Sequence, residues 1–255
     1  MTTKSQNIDD LLTPTTLNDF LISDPVSKQT LFDILNGAIP FPAMGRNGIC
    51  LWGTYGTGKT TLAKLLPNIL EQSGAIQDSR REQRFFIHQK YFNMTACGSG
   101  QNSVQLLNDI RLRIDGGLTS YGPSGWHYEI LDEADQLTAN AQASLKSLMT
   151  EGRSTIFILT TNNKGSLDAG VKDRCHLIEM NKAAPQHYVP IAHDILRKLE
   201  FHADAIPEDQ IYAMAEANRG SFRDFAGAVV TAANRWCRST AGQAEIVVQH
   251  DTVDG

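Results

Sequence analysis

Residues 53–60 read GTYGTGKT, and this stretch decides the fold of the 255-residue chain. It lies between a short apolar run at residues 49–52 and a helical pattern at residues 59–72. The spacing Gly-x-x-x-x-Gly-Lys-Thr between a strand and a helix is that of a phosphate-binding loop. Its glycines let successive backbone N–H groups curl around phosphate oxygens, and the following helix adds partial positive charge. The pattern therefore predicts a nucleoside triphosphate site.

Two side chains of this loop have specific tasks. Lys59 is predicted to reach the β- and γ-phosphates, and the hydroxyl of Thr60 is predicted to ligate magnesium. ATP and Mg²⁺ are thus the predicted ligand and cofactor. An ordinary glycine turn is the alternative, but a chance match in a chain of this length is on the order of 1%. The other predicted nucleotide contacts are Gly53, Thr54, Tyr55, Gly56, Thr57, Gly58 and Thr61.

A second motif supplies carboxylates. Residues 126–135 read WHYEILDEAD, which predicts a strand that ends in Asp-Glu. Asp132 is predicted to hold magnesium, usually through a water molecule, and Glu133 to polarise the attacking water as general base. A solvated acidic turn after a strand is the alternative. His127 and Glu129 alternate inside this strand, which favours a partly exposed face or an incompletely covered sheet.

Another predicted strand also ends in polar side chains. Residues 155–163 read TIFILTTNN, and Asn162 is the predicted sensor of the γ-phosphate and the attacking water. The alternative is a strand that simply ends in a turn, because asparagine is common in turns.

Strand and helix patterns alternate up to residue 180 and then give way to helices alone. This order predicts an α/β fold, with a parallel sheet flanked by helices and then a small all-helical domain. Ligands of such sheets bind at the carboxyl ends of the strands. The predicted boundaries are a flexible N-terminus at 1–16, an ATPase domain at 17–183, a helical lid domain at 184–240 and a tail at 241–255.

Helix-capping patterns mark the start of two predicted helices. Asp24 before Pro25 is typical of an N-cap with proline at the first helical position. Ser221 and Asp224 form a predicted capping box for the last helix of the lid domain. The apolar positions of that helix, which are expected to face inward, are Phe225, Val229 and Trp236.

The composition is that of an ordinary globular protein. Apolar residues make up 41% and charged residues 20%, which excludes a disordered or fibrous chain, and the net charge of −5 provides no global attraction for nucleic acid. The four cysteines are too far apart for a C-x-x-C pair, which fits a reducing compartment. No signal peptide or apolar run of about 18 residues is visible. We therefore expect a cytoplasmic protein without a membrane partner.

The order of these motifs resembles the AAA+ ATPases, and among them the clamp-loader small subunits of the replication factor C and phage types. The resemblance runs from about Leu17 to Arg238. Residues 132–149 (DEADQLTANAQASLKSLM) are similar to the clamp-loader segment after its second Walker motif, and residues 93–100 (NMTACGSG) to its Asn-Ala-Ser turn. Asn162-Asn163 matches the first sensor, which implies that role for Asn162.

The resemblance also implies two arginine roles and a set of partners. Asp173-Arg174-Cys175 matches the Ser-Arg-Cys motif, whose arginine acts on the ATP of a neighbouring subunit. Residues 220–223 resemble the second sensor, which implies that Arg223 contacts the γ-phosphate. The implied assembly is an oligomer with ATP sites between its subunits, acting on DNA and on a ring-shaped protein partner.

The chain also departs from the clamp-loader pattern. Thr54 and Tyr55 stand where prolines are frequent, and Asp173 replaces the usual serine. Neither a collar domain nor the four-cysteine zinc module of bacterial loaders is found. The DEAD string also occurs in a helicase superfamily, but the second RecA-like domain and arginine-rich motif of those enzymes are not visible.

Three cations are weaker candidates for DNA contact. In the resembling family, the helices that carry Arg111, Arg113 and Lys146 line the DNA channel. A solvated helix face is the favoured interpretation for these three side chains.

Three functions fit the sequence. The first is a clamp-loader-like ATPase that grips primer–template DNA and opens a ring. The second is an ATP-dependent DNA-binding or recruitment factor of the helicase-loader or transposition-regulator type, in which hydrolysis resets binding. The third is an interaction subunit with little turnover, and the intact set of Lys59, Thr60, Asp132 and Glu133 argues against it.

Overall fold

The computed structural model describes residues 12–76, 92–98, 102–115, 121–151, 154–202 and 205–250, with side chains described as far as Arg238. The chain divides into two compact units. One is Thr15–Asn181, and the other combines the residues before Thr15 with those from Lys182 onward. The last two residues of the Asn-Ala-Ser-like segment, 99 and 100, lie outside the described part.

The first unit contains a five-stranded, all-parallel sheet in the order β2-β3-β4-β1-β5. This arrangement confirms the predicted α/β fold with a parallel sheet flanked by helices. The strands are β1 (Gly48–Trp52), β2 (Phe92–Ala96), β3 (His127–Asp132), β4 (Thr155–Thr161) and β5 (Cys175–Glu179). The helices are α1 (Pro25–Leu35), α2 (Lys59–Ser73), α3 (Ser103–Asp115), α4 (Ala139–Glu151) and α5 (Ala169–Asp173).

Strand β1 is apolar throughout because both of its faces are covered. Ile49 and Leu51 join one hydrophobic cluster with Leu62 of α2, whereas Cys50 joins a second cluster with Leu145 of α4. Successive side chains of a strand point to opposite faces, so a strand buried on both sides shows a continuous apolar run. This burial fixes β1 in the middle of the unit and with it the loop that follows.

The predicted cap of α1 is present. The Asp24 side chain accepts a hydrogen bond from the backbone N–H of Ser27 at 2.8 Å, and Pro25 is the first helical residue. The hydroxyl of Ser27 in turn accepts from the backbone N–H of Glu179 at 2.8 Å. The N-terminus of α1 is therefore tied to the end of β5.

His127 and Glu129 are buried, so the expectation of a partly exposed strand face is wrong. Glu129 accepts from Asn93 of β2 at 3.2 Å and from Arg113 of α3 at 3.4 Å, and His127 Nε2 lies 3.0 Å from the same carboxylate. Polar groups can be buried when they are hydrogen-bonded. Partners from a neighbouring strand and a covering helix thus allow polar and apolar residues to alternate in a buried strand.

The second unit is helical, with α6 (Val189–Lys198), α7 (Glu208–Ala217) and α8 (Phe222–His250). Phe225 of α8 stacks edge-on against Tyr188 at 4.9 Å, and the Ser221 hydroxyl caps α8 by accepting from the N–H of Asp224 at 3.2 Å. The inward placement predicted for Trp236 is wrong, because this side chain is 42% exposed. Among the side chains described on α8, the last buried one is that of Ala233. Among the described helices, none is long and apolar enough to cross a membrane.

Candidate functional site

The phosphate loop leaves β1 at Gly53 and enters α2 at Lys59, as the sequence predicts. Gly53 has a φ of 147°, and a Cβ there would lie only 2.4 Å from the carbonyl oxygen of Met180. Gly58 has a φ of 89° and packs against the ring of Phe20, so both its backbone conformation and the space around it favour glycine. The loop therefore takes a shape that larger residues at these two positions would disrupt.

Lys59 lies inside this loop. Its side-chain amine donates to the carbonyl of Gly53 at 3.0 Å and to that of Thr54 at 2.6 Å. Burial lowers the pKa of the amine from its ordinary value, while the carboxylates of Asp135 and Asp132 act in the opposite direction. The amine is thus held inside the loop by two of the loop's own carbonyl groups.

Thr60 and Asp132 meet beside the loop. The hydroxyl of Thr60 donates to Asp132 Oδ1 at 2.8 Å, and the hydroxyl of Thr160, from β4, donates to the same oxygen at 2.6 Å. Hydroxyl and carboxylate oxygens are hard ligands of the kind that Mg²⁺ prefers. The donor set brought together here therefore fits the predicted cation. Sequence reasoning missed Thr160, because nothing in the linear order says that β3 and β4 are neighbours.

Glu133 follows Asp132 in a left-handed backbone conformation, with φ 57° and ψ 48°. Such a conformation in a residue other than glycine costs roughly 1–3 kcal/mol and occurs at functional sites. The backbone N–H of Glu133 donates to the hydroxyl of Thr160 at 2.9 Å, which holds the turn. The side chain of the predicted general base is consequently exposed at the end of β3.

Asn162 and Asp135 connect the ends of β4 and β3. The backbone N–H of Asn162 donates to Asp135 Oδ1 at 3.4 Å. Asp135 is also the carboxylate with the largest electrostatic effect on the Lys59 amine. Asp135 is the last residue of the DEAD string, which was the available signal, but the sequence analysis gave this residue no role. The sensing role of Asn162 stays a prediction.

Asn181 is a further contact that sequence reasoning missed. This residue follows β5, and its Oδ1 accepts from the backbone N–H of Thr54 at 3.0 Å. Its Nδ2 donates to Glu179 Oε1 at 2.7 Å. No motif marks the position, since asparagine in a loop is common.

Arg174 lies at the other end of the strands. Its carbonyl accepts from the N–H of Gly48, the first residue of β1, at 3.0 Å. The phosphate loop begins at Gly53, five residues further along the chain, so the two features are separated by about 17 Å at about 3.3 Å per residue. The guanidinium donates to the hydroxyl of Thr150 at 3.0 Å and to the carbonyl of Gly170 at 2.8 Å. Its described contacts are therefore with these neutral oxygens, not with the carboxylate of Asp173.

The remaining predicted cations are placed in different ways. Arg223 is an exposed residue in the first turn of α8, and its contact with the γ-phosphate stays a prediction. Arg111 pairs with Glu151, Arg113 with Glu129 and Lys146 with Asp168.

Comparisons with known proteins agree with the resemblance seen in the sequence. No protein-family profile matches the chain. It is 27% identical over 217 residues to the replication factor C large subunit of Haloarcula marismortui, covering 82% of this chain and 38% of that protein. It is 26% identical over 172 residues to the replication factor C small subunit of Thermoplasma acidophilum, covering 67% of this chain and 48% of that protein. The chain thus spans less than half the length of these relatives.

Solved structures show the same fold. The Holliday junction branch migration motor RuvB of Thermotoga maritima superposes with a TM-score of 0.62 at 17% identity, covering 86% of this chain and 64% of that one. These comparisons confirm that the chain has the AAA+ P-loop NTPase fold and that it resembles replication factor C subunits.

Proposed function

We propose that this chain binds ATP with Mg²⁺ and hydrolyses ATP at sites shared between the subunits of an oligomer that acts on DNA. The observation that carries the proposal is the meeting of Thr60 and Asp132 at 2.8 Å, next to a buried Lys59. Residues 72 positions apart in the sequence supply the phosphate side and the metal side of one site. An ordinary glycine turn would not require a carboxylate from another strand beside it.

Each residue of the site has a task in this proposal. Thr60 and Asp132 would hold Mg²⁺, which supplies neutralising charge on the phosphates when it is bound. Lys59 binds the β- and γ-phosphates from within the loop. Glu133 accepts the proton of the attacking water at its carboxylate, and Asn162 orients that water.

The shared character of the site rests on Arg174. This residue lies at the amino ends of the strands, about 17 Å along β1 from its own phosphate loop. An extended arginine side chain does not cover that distance, so the guanidinium is available to the ATP of a neighbouring subunit only. Arg223, from the helical unit, is the proposed contact of the γ-phosphate within the same chain.

The proposed role on DNA is that of a clamp-loader-like ATPase. The support for it is the likeness to replication factor C subunits, which extends over 82% of this chain for the large subunit and 67% for the small subunit. Arg111, Arg113 and Lys146 all have acidic partners within the chain, so they do not form a free basic surface. We therefore assign none of these three to DNA contact.

The test is ATP turnover with Mg²⁺, measured alone, with primed DNA, and with primed DNA plus a sliding clamp. Stimulation by DNA that rises further with the clamp is the expected result. Stimulation by DNA alone would replace the clamp-loader role with the recruitment-factor role. Background turnover under all three conditions would overturn the proposed activity, and a monomeric mass in saturating ATP would overturn the shared site.

A further inference from the structure

Asn181 stands where the chain leaves the sheet and passes the phosphate loop. The backbone N–H of Met180 donates to the carbonyl of Trp52 at 2.7 Å, which extends the β1–β5 pairing by one residue. Asn181 is the next residue and the last of the α/β unit. Its backbone carbonyl also accepts from the hydroxyl of Ser23 at 3.4 Å. The backbone beneath the Asn181 side chain is thus fixed from two sides.

The two ends of the Asn181 amide have different partners. Oδ1 accepts from the N–H of Thr54 at 3.0 Å, and Nδ2 donates to the carboxylate of Glu179 at 2.7 Å. A rotated amide would place its NH₂ against an N–H donor and its oxygen against a carboxylate, and neither contact is favourable. Glu179 therefore selects the orientation in which the amide oxygen faces the loop.

The loop leaves no space between itself and this segment. A Cβ on Gly53 would lie 2.4 Å from the carbonyl oxygen of Met180 and 2.9 Å from Asn181 Oδ1. Contacts this short would force the backbone or the amide to move. The glycine at the start of the loop thus allows Asn181 to reach Thr54.

Thr54 is held at both of its backbone polar groups. Its N–H donates to Asn181, and its carbonyl accepts from the Lys59 amine at 2.6 Å and from the Thr57 hydroxyl at 3.0 Å. The residue itself is exposed, so its packing does not define the orientation of these groups. In the resembling ATPases proline is frequent in this part of the loop, and a proline at position 54 would have no N–H to donate.

We propose that Asn181 is a positioning residue, which uses the N–H of Thr54 to hold the phosphate loop in the shape that binds nucleotide. The inference rests on the proposed function, because it concerns the same nucleotide site. Glu179 is its supporting partner and acts only by orienting the amide.

Asn181→Asp is the variant that tests this role. The new carboxylate can still accept from Thr54, but it has no hydrogen to donate and faces Glu179. Loss of a satisfied hydrogen bond in such a position corresponds to about a tenfold rise in the Kd for ATP. Adding Glu179→Gln supplies an amide that can donate to the new carboxylate, so the double variant should regain most of the affinity.

The measurement is the Kd of a fluorescent ATP analogue, together with KM and kcat for ATP turnover. We expect the rise in Kd and KM with kcat at saturating ATP nearly unchanged. Asn36→Asp is the matched control, because Asn36 Oδ1 also accepts a backbone N–H, that of Ala38 at 3.0 Å. This control should bind nucleotide as the unmodified chain does.

The outcomes separate the two proposals. An unmodified chain that binds no nucleotide would overturn the proposed function. Normal binding by the unmodified chain and by Asn181→Asp would overturn only the role of Asn181. Weakened binding that Glu179→Gln fails to restore would also overturn it, because the loss would then come from general damage to the segment. Thermal unfolding of each variant identifies such damage directly.

Discussion

The two edges of the sheet differ in how their functional side chains are held. At the carboxyl edge, all hydrogen-bond partners belong to the same chain. Lys59 donates to two carbonyls of the phosphate loop, and Thr60 donates to Asp132. At the amino edge, Arg174 rests on two neutral oxygens, from Thr150 and Gly170. The first edge has its bonding partners in place, whereas the second presents a cation that its described contacts do not neutralise. This difference supports the proposal that each chain contributes two complementary half-sites.

The difference follows from the direction of the strands. In a parallel sheet every loop that follows a strand lies at the carboxyl edge, and every residue that precedes one lies at the amino edge. The phosphate loop, the acidic pair and Asn162 all follow strands, whereas Arg174 precedes β5. One copy of the fold therefore cannot bring Arg174 to its own phosphate loop.

The largest effect is expected for Lys59→Ala, which tests the carboxyl edge directly. Removing the amine takes away the point charge that binds the β- and γ-phosphates, so tight ATP binding should be abolished. Lys64→Ala, an exposed cation on the same helix, is the control and should bind ATP normally. Equilibrium binding of a fluorescent ATP analogue measures both variants. Equal affinity in the two would remove Lys59 from the site.

Glu133→Gln tests the same edge and leaves in place the Lys59 amine that binds the phosphates. The amide keeps the shape of the side chain but cannot accept a proton, so hydrolysis should fall by about 10²–10⁴ while ATP binding persists. Phosphate release under single-turnover conditions measures the chemical step. Glu216→Gln, at an exposed position of α7, is the matched control with unchanged turnover expected. Unmodified turnover in Glu133→Gln would assign the base to another group.

Arg174→Ala tests the amino edge. An arginine that stabilises charge on the transferring phosphoryl group contributes about 10³–10⁵ in P-loop enzymes, and Asp173 beside it favours the low end of that range or less. ATP affinity and folding should stay unchanged. Lys172→Ala removes a nearby cation, in the last turn of α5, and serves as the control for charge alone.

Mixing the two edge variants sharpens the comparison. Arg174→Ala supplies an intact carboxyl edge and Glu133→Gln an intact amino edge, so co-assembled chains should regain turnover at some interfaces. Turnover is measured across mixing ratios at a fixed total concentration. A mixture no more active than either parent, with co-assembly verified by mass, would exclude sites shared between subunits.

The smallest effect is expected for Thr150→Val. The Thr150 hydroxyl donates to the carbonyl of Lys146 at 2.9 Å, so its oxygen accepts from Arg174. Losing that acceptor removes one neutral hydrogen bond, which corresponds to a fall in turnover of about two- to tenfold. Thr231→Val removes the same kind of hydroxyl-to-carbonyl bond from α8 and should have no effect on turnover. A Thr150→Val loss as large as that of Arg174→Ala would indicate damage to α4 instead.

The sequence predicted the parts of the site that are continuous in the chain. The spacing from Gly53 to Thr60 identified the loop and the start of α2, because those residues are local and chemically specific. Thr160 and Asn181 were missed, since their roles depend on which strands are neighbours. That order is set by tertiary packing and leaves no local pattern.

Two errors have the same kind of cause. The alternation of His127 and Glu129 with apolar residues resembles an exposed strand face, but partners from β2 and α3 make burial possible. Trp236 continues the apolar spacing of its helix, but its side chain is 42% exposed. In both cases the periodicity of the sequence was recognised correctly, but the burial of the side chains was predicted wrongly.

The pairing of β5 with β1 also sets a length. It begins with the bond from Gly48 to the carbonyl of Arg174 and ends with the bond from Met180 to Trp52, next to Asn181. Because a paired strand has a fixed rise per residue, β5 sets the distance between Arg174 and the segment beside the phosphate loop. Inserting one residue into β5 would lengthen this distance by about 3.3 Å and turn every later side chain of the strand to the opposite face. In the proposed oligomer, the five residues of β5 would therefore set the distance between the two half-sites that each subunit contributes.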